Sequence, residues 1–337
     1  MNHPDEIKAV LEDTIDEVAA KLRKEGKFQR DRLLPPETLI RLLLSMRGGS
    51  LQKELYDARV SASAAAFSMR RELLDEQAMK VLFENFNERC GWTSTFQGYR
   101  IFAVDGTTVN LPRNPKSESF VKNAGHPNGL NQLHVTPLFD VLSNTYQHFV
   151  IQPQKYQDEV GALLFMLAWY DFNTPTLIIA DRGFESYEVI GAFQEKPNAA
   201  FLIRVRQNQS AMREIQKLPQ QELDCDLNFY VTTSQTNEAK ASGHVIIQKR
   251  KERALVPPPP FGRKPDFSKK YQIKIRVVRF LLSTGEYETL ITNLPRRITL
   301  AQIRELYHAR WSIETYFRTL KYNIGLTNLH GKCDAYA

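Results

Sequence analysis

The sequence predicts a mixed α/β fold with an N-terminal helical domain and a β-rich insertion. Apolar residues recur at helical spacing up to about residue 95, and from Tyr99 the pattern becomes that of strands. Strands and helices then follow one another until a Pro-rich, strand-like stretch interrupts them before a final helix. The predicted divisions are a helical domain, the first part of the core, the insertion and the last part of the core: residues 1–95, 96–206, 207–292 and 293–337.

The first 95 residues are predicted to form several short helices. Ile7, Val10 and Leu11 lie at helical spacing with charged residues near them, and the pair Pro35-Pro36 precedes a second helical stretch. Short helices separated by Gly and Pro are typical of small DNA-binding bundles, although no recognition-helix pattern is present. A plain helical packing domain is the equal alternative.

The first part of the core is predicted to have the order β-β-β-α-β-α-β. Three consecutive strands followed by two helix–strand units favour a mixed sheet with helices on its faces. Ser143, Asn144 and Thr145 are predicted to form the turn between the second and third strands. The predicted strands are 99–104, 134–142, 146–152, 176–180 and 199–205, and the predicted helices are 158–171 and 186–194.

The insertion combines strand-like runs with a basic, Pro-rich loop. The tetraproline 257–260 must lie in a loop. Between Lys249 and Lys270 there are eight basic and two acidic residues, which is nearly the whole net charge of +7. Such a segment favours a polyanion as partner, and a solvated loop is the equal alternative. The predicted strands of the insertion are 229–233, 245–249, 274–282 and 287–291.

The composition argues against membrane proteins and secreted disulfide scaffolds. The sequence has no run of about 18 apolar residues, and residues 1–10 lack the apolar segment of a signal peptide. Cys90, Cys225 and Cys333 lie far apart, with neither disulfide-framework nor zinc spacing. These features predict a cytoplasmic protein with no membrane partner.

Two aspartates follow apolar strands of the predicted core. Asp105 comes directly after the first strand, and Asp181 comes directly after the strand 176–180. Open α/β sheets place their ligand sites at such carboxyl ends of strands, so the two carboxylates are candidates for a shared site. Taken singly, each is more often an ordinary turn residue or helix cap.

The helix predicted from Thr299 carries a row of polar residues beside an apolar stripe. At 3.6 residues per turn, the row falls within about 60° of arc. The alternative is a half-buried salt-bridge row, in which Arg310 and Glu314 form an i,i+4 pair. Thr299 and Gln302 fit a capping box, and Gly325 fits a C-terminal stop. The polar row is Tyr307, Arg310, Glu314 and Lys321, and the apolar stripe is Leu306, Ile313, Phe317 and Leu320.

Three carboxylates, from Asp105, Asp181 and Glu314, make chemical sense together. Carboxylate oxygens suit Mg²⁺ or Mn²⁺, and a pair of such ions promotes in-line phosphoryl displacement. Arg310 and Lys321 on the same helix face as Glu314 suit DNA phosphates. Aromatic side chains beside them, Tyr307 and Trp311, suit contact with an unpaired base.

These residues resemble a known family in their order and spacing. They resemble bacterial insertion-sequence DDE transposases of the fourth family, the IS-four group, which carries a Tyr-Arg-Glu-Lys signature. The resemblance covers about residues 95 to 330, and a β-rich insertion between the second Asp and the Glu is also typical of that family. The matching motifs are Val104-Asp105-Gly106-Thr107, Ala180-Asp181-Arg182-Gly183-Phe184 and Tyr307-x2-Arg310-x3-Glu314-x6-Lys321.

The resemblance implies a ribonuclease-H-like catalytic core in which Asp105, Asp181 and Glu314 bind two Mg²⁺ or Mn²⁺ ions. It implies cleavage at transposon ends and strand transfer into target DNA, through a DNA hairpin on the excised end. The implied partners are double-stranded DNA, both terminal inverted repeats and target, and a second copy of the chain in an active homodimer. The implied location is the bacterial nucleoid.

The resemblance also implies which residues bind DNA. Tyr307, Arg310 and Lys321 would hold the transposon-end strand. Trp311 follows the signature Arg and is a candidate for the pocket of a flipped base, with ordinary packing as the equal alternative. Arg182 is expected either to contact a phosphate near the second Asp or to brace its loop.

The end of the sequence departs from that family, which usually continues with a substantial helical tail. The last residues, 333–337, predict a truncated or frameshifted reading frame or a cloning boundary. Two alternatives to an active transposase follow. One is a truncated, non-transposing DNA-binding inhibitor of a full-length transposase. The other is a ribonuclease-H-like nuclease with a different task, which would have no need of the Tyr-Arg-Glu-Lys row.

Overall fold

One large mixed β-sheet forms the centre of the protein. The computed structural model describes residues 3–30, 33–47, 49–74, 76–206, 210, 212–248, 265–323 and 334. The strands in this part are β1 (Arg100–Val104), β2 (Thr107–Leu111), β3 (Phe120–Asn123), β4 (His126–Asp140), β5 (Thr145–Pro153), β6 (Thr176–Ala180), β7 (Ala199–Arg204), β8 (Leu223–Thr232), β9 (Val245–Ile246), β10 (Tyr271–Leu281) and β11 (Tyr287–Thr292). They pair in the order β2-β4-β1-β6-β7-β11-β10-β8-β9, and β3 and β5 also pair with β4.

Helices lie before, between and after these strands. None of the described helices is both long enough and apolar enough to cross a membrane. The helices are α1 (Pro4–Lys24), α2 (Pro36–Ser45), α3 (Leu51–Asp57), α4 (Ala64–Arg71), α5 (Glu76–Cys90), α6 (Glu159–Trp169), α7 (Tyr187–Glu195), α8 (Arg213–Gln216), α9 (Asn237–Ala241), α10 (Leu300–Ala309) and α11 (Trp311–Arg318). Short 3₁₀ turns span Gln154–Tyr156 and Arg182–Phe184, and a π-helix spans Thr319–Asn323.

The core of the sheet confirms the predicted mixed α/β class. Strand β1 pairs antiparallel with β4 and parallel with β6, and β6 pairs parallel with β7. With β5 on the far side of β4, the first five predicted strands lie in the spatial order third, second, first, fourth, fifth. This is the strand order of a ribonuclease-H-like core, and it brings the ends of β1 and β6 side by side.

Strand β6 shows why the sheet has helices on both faces. All five of its residues are buried, as expected of a parallel strand covered on each side. Ile178 and Ala180 pack into the cluster that contains residues of α6 and α7. Leu177 and Ile179 point the other way and pack into the cluster that contains Ile303 and Leu306 of α10. The alternation therefore fixes α10 on the face opposite α6 and α7.

The strands of 207–292 extend the same sheet. Strand β11 pairs antiparallel with β7, β10 pairs with β11, and β8 pairs with β10. Strand β8 begins at Leu223, earlier than predicted, because its first half alternates half-buried apolar residues with exposed acids and so lacks an apolar run. Lys269 and Lys270 belong to the described part, whereas Lys249 to Lys264 of the predicted basic Pro-rich loop lie outside the described residues.

The sequence analysis does not predict β2, β3 or the first half of β4. These segments are rich in polar residues, and the first three residues of β4 are exposed. They are held by pairing among themselves: β2 and β3 both pair with β4. Their pattern is weak because β3 and the start of β4 bury almost no apolar side chain, and β2 buries only two, Val109 and Leu111.

The predicted helical N-terminus is observed as α1 to α5. Ile15, Val18 and Leu22 of α1 are buried in a cluster shared with the other helices of this part. Helix α5 contacts the sheet through Phe83, whose ring meets that of Phe149 on β5 edge-on at 5.0 Å. The helices therefore pack beside the outer strand of the core, on the side where β5 lies.

A buried arginine ties the outer strands to the segment that leads into α10. Arg276 on β10 is 4% exposed and donates two hydrogen bonds to Asp224 on β8, at 2.8 and 2.7 Å. Its remaining terminal nitrogen donates to the carbonyl oxygens of Pro295 and Ile298, at 3.2 and 2.9 Å. The loop before α10 thus takes its position from the sheet.

We expect Arg276→Met to lower the free energy of unfolding by about 2 kcal/mol, because Asp224 loses two hydrogen bonds from a buried guanidinium and the Ile298 carbonyl loses the hydrogen bond from Arg276. Urea unfolding followed by circular dichroism measures the change. Arg296→Gln is the matched control, since Arg296 also bonds Asp224, at 2.6 Å, but is half exposed. Solvent screens that pair, so its loss should cost less than about 1 kcal/mol. Equal losses for the two variants would contradict the role assigned to Arg276.

Candidate active site

Asp105 lies at an interruption in one long strand. Val104 pairs with Leu138 and Thr107 pairs with Val135, so β1 and β2 keep one register along β4. That register places Asp105 opposite Pro137, which has no N–H to donate to the ladder. The ladder therefore breaks at Asp105, whose side chain is 28% exposed and accepts a hydrogen bond from the Gly106 N–H at 2.9 Å.

Asp181 lies beside Asp105 because two parallel strands end together. Val104 is paired with Ala180, so both aspartates are the next residues along neighbouring strands that run about 4.8 Å apart. The turn Arg182–Phe184 follows, and the buried ring of Phe184 anchors it in the core. The Tyr307 hydroxyl donates to one oxygen of Asp181 at 3.1 Å.

The helix predicted from Thr299 is interrupted at Arg310, so the prediction of one uninterrupted helix is wrong. The capping box of Thr299 and Gln302 is confirmed. Helix α10 ends at Ala309 and α11 starts at Trp311, because the Arg310 N–H bonds the carbonyl three residues back, at Tyr307, instead of four. A π-helix then replaces the last predicted turn, and the predicted stop at Gly325 lies outside the described residues.

The apolar stripe of this helix segment packs as predicted. Leu306 is buried against the sheet beside α10. Ile313 and Phe317 of α11 pack on Ala103 and Phe139, the strand residues next to the site. Leu320 is half-buried at the end of the segment. The stripe therefore presses α11 onto the β1–β4 part of the sheet and turns the polar row toward the strand ends.

Arg310 joins Asp105 to Glu314. Its guanidinium is 4% exposed and lies 3.6 Å from Asp105 Oδ2, and it donates to Glu314 Oε1 at 3.0 Å. The guanidinium carbon lies 5.3 Å from the centre of the Trp311 ring and 5.9 Å from that of Tyr307. The ion pair between Arg310 and Glu314, which the sequence analysis gives as an alternative, is thus present. The same guanidinium also contacts Asp105.

Burial and charge act against each other in this site. Burial raises the pKa of the Asp105 carboxyl, while the Gly106 N–H and the Arg310 charge lower it, and Glu159 and Glu314 raise it further. Burial alone lowers the pKa of Arg310, but its acidic surroundings outweigh burial and raise that pKa. Burial and the nearby Asp181 charge raise the pKa of Tyr307, so its hydroxyl keeps its proton. The site is a buried cation held among partly buried acids.

The remaining candidate residues lie around this centre. Trp311 is 51% exposed, so its ring faces solvent beside Arg310. Arg182 is exposed on the turn that follows Asp181. Lys321 is half-buried in the π-helix, and burial lowers its pKa. Within the part of the chain that is described, no group of three His, Cys, Asp or Glu side chains is close enough together to hold a metal ion.

Two close side-chain contacts beside the site were missed by sequence reasoning. His134 Nε2 lies 3.0 Å from Glu159 Oε1, next to Asp105. Arg204 Nε lies 3.2 Å from Glu288 Oε1, and burial, with a contribution from the Asp181 charge, raises the pKa of Glu288. Neither pair has a sequence signal, because their members are far apart in the chain and meet only through the tertiary fold.

Comparisons with known proteins give one family. Residues 96–335 match the family model described as "Transposase DDE domain". Among solved structures, the chain is similar to a piggyBac transposase in a cryo-EM synaptic complex with hairpin DNA, with a TM-score of 0.42 and 11% sequence identity. The match covers 97% of this chain and 64% of that one, so this chain spans slightly under two thirds of the piggyBac chain. No curated protein matches the sequence.

We expect Tyr307→Phe to lower the free energy of unfolding by about 1–2 kcal/mol, because the partly buried Asp181 carboxylate loses the hydrogen bond that the Tyr307 hydroxyl donates. Tyr146→Phe is the matched control: no described residue accepts a hydrogen bond from the buried Tyr146 hydroxyl, so its removal should be neutral or stabilising. Chemical unfolding of both variants gives the difference. A loss at Tyr146 as large as that at Tyr307 would show that the bond to Asp181 contributes nothing specific.

Proposed function

This chain belongs to the transposase DDE domain family, and on that basis we propose that it cleaves DNA at the ends of a transposable element and joins those ends to target DNA. The observation that carries the proposal is that one buried arginine, Arg310, contacts Asp105 and Glu314 and also lies near enough to Asp181 for that charge to raise its pKa. Asp105 and Asp181 come from the ends of adjacent strands, and Glu314 comes from the helix packed over them.

We propose Asp105, Asp181 and Glu314 as the ligands of two Mg²⁺ or Mn²⁺ ions. Their oxygen atoms are the donors that such hard cations prefer. Asp105 and Glu314 already share a cation in this structure, the guanidinium of Arg310, which supports a site built for positive charge between them. When bound, two such ions activate a water or 3′-hydroxyl and stabilise the leaving oxygen of the DNA strand.

Arg310 is proposed to exchange partners when DNA and cations bind. It holds Asp105 and Glu314 in their present positions, yet its Nε is buried without a hydrogen-bond partner among the described residues. A guanidinium released from the carboxylates binds a phosphate through two parallel hydrogen bonds. Arg310 would then neutralise the charge of the DNA phosphate at the position where the strand is cut.

Tyr307 is proposed to hold Asp181 in place while Asp105 and Glu314 exchange the Arg310 guanidinium for cations. Its hydroxyl is a protonated donor at 3.1 Å from Asp181, so it fixes that side chain without adding charge. Trp311 and Arg182 are proposed DNA contacts, since both are exposed beside the carboxylates. Lys321 is proposed to bind a phosphate farther along the same strand.

The finer assignment rests on the Tyr307-Arg310-Glu314-Lys321 spacing. We propose membership of the IS-four group, a hairpin intermediate on the excised end, and an active homodimer that binds both terminal repeats. In support, two of the four signature residues lie at backbone irregularities, Arg310 at the helix break and Lys321 in the π-helix, and such irregularities are frequent at functional sites.

The test is nicking of a labelled duplex that carries the inverted repeat bordering the coding sequence, with Mn²⁺ as cation. Asp105→Asn, Asp181→Asn and Glu314→Gln should each slow nicking at least about a hundredfold, as expected when electrostatic stabilisation of the reacting phosphate is lost. Asp171→Asn and Glu305→Gln are the controls, because both residues are exposed and lie outside the site. Band-shift assays without metal check that each variant still binds the duplex.

Undiminished nicking in any one of the three variants would remove that residue from the ligand set. A wild-type chain that binds the duplex but never nicks it would overturn the catalytic proposal and favour a DNA-binding inhibitor.

A further inference from the structure

The side chains of His134 and Glu159 pack against Gly106, the residue after Asp105. A Cβ added at Gly106 would lie 2.0 Å from Glu159 Oε1 and 2.4 Å from His134 Nε2. Both side chains therefore touch the backbone at the point where the ladder that β1 and β2 form with β4 is interrupted. With Pro137 opposite Asp105, the ladder lacks a hydrogen bond here, so side-chain contacts at Gly106 supplement strand pairing.

His134 is buried, and its Nε2 lies next to the Gly106 backbone. It is 3% exposed, and its Nε2 lies 3.0 Å from Glu159 Oε1 without any well-aligned hydrogen-bond partner in the described chain. On the other side of the ring, Nδ1 lies 3.4 Å from the Thr108 hydroxyl, which donates to Gln154 at 2.9 Å. A buried imidazole held this way cannot shift without disturbing β2.

Glu159 completes a ring of polar side chains beside Asp105. Gln154 bonds Gln157, and Gln157 donates to Glu159 Oε1 at 3.4 Å. The ring thus runs through Thr108, His134, Glu159 and the two glutamines. Its members come from β2, β4, the 3₁₀ turn with the residue that follows it, and the first residue of α6.

Glu159 lies in the first turn of α6, where an acidic residue commonly stabilises a helix, but this role explains its position only in part. Helix α6 is already capped by Asp158, whose side chain accepts from the Gly161 N–H at 2.9 Å. The Glu159 carboxylate is therefore not needed as the cap, and it is instead 29% exposed against His134. Its charge is also near enough to Asp105 to raise the pKa of that carboxyl.

We propose that Glu159 is a positioning residue which, with His134, braces the backbone at Gly106 and so holds the Asp105 carboxylate for cation binding. The inference rests on the proposed function, because it takes Asp105 as a cation ligand. Glu159 acts through its shape and its contacts with His134 and Gly106. It is not proposed to bind the cation itself.

The test measures Mn²⁺ affinity of the full chain by the electron paramagnetic resonance signal of the free ion, without DNA. Glu159→Ala removes the brace and should weaken Mn²⁺ binding about tenfold, the lower end of the effect of removing an outer-shell partner. Glu159→Gln keeps the shape and should stay within about twofold of wild type. Glu76→Ala is the matched control, since Glu76 is likewise the first residue of a helix but lies in the N-terminal helices.

The outcomes separate the two proposals. Unchanged affinity in Asp105→Asn would overturn the proposed function itself. If Asp105→Asn binds weakly but a folded Glu159→Ala binds like wild type, only the positioning role fails. Equal losses in the Gln and Ala variants would overturn positioning in favour of a direct charge effect.

If Glu159→Ala unfolds, Gly106→Ala tests the same contact, because Gly106 is the backbone position against which Glu159 and His134 pack. It displaces His134 and Glu159, so it should weaken Mn²⁺ binding and lower the melting temperature. Circular dichroism at the temperature of the binding measurement checks that the variant is folded. Wild-type affinity in that variant would overturn the proposal.

Discussion

The parallel pairing of β1 with β6 is the constraint on which the rest of the site depends. Because Val104 is opposite Ala180, the two strands end at one level and deliver Asp105 and Asp181 side by side. Burial of both strands on both faces fixes that register, since a slip by one residue would exchange the apolar sets of the two faces. The positions of the two carboxylates are therefore set by apolar strands that contribute no reactive side chain.

The third carboxylate depends on a longer chain of contacts. Strands β8 to β11 widen the sheet, and Arg276 binds the loop before α10 to them. Helix α10 then packs on Leu177 and Ile179, and α11 packs on Ala103 and Phe139. A segment that looks like an insertion in sequence therefore helps to set the position of Glu314, because its strands belong to the sheet on which the helices rest.

Charge in the site is balanced by groups that can change partners. Partly buried carboxylates repel one another, and the Arg310 guanidinium offsets that repulsion for Asp105 and Glu314. Tyr307 stabilises Asp181 with a neutral donor. A guanidinium binds carboxylate and phosphate with the same geometry, so the arrangement suits the proposed exchange of a carboxylate for a DNA phosphate at Arg310.

The sequence by itself determined the α/β class, the helical N-terminus, the strand-end position of Asp105 and Asp181, and the apolar stripe beside Glu314. Those features follow from local periodicity, which burial enforces residue by residue. Only the tertiary structure decided that Pro137 interrupts the ladder opposite Asp105, that the helix breaks at Arg310, and that His134 meets Glu159. Each of these depends on which strands and helices become neighbours, a choice made by long-range pairing and packing that leaves no periodic trace in the chain.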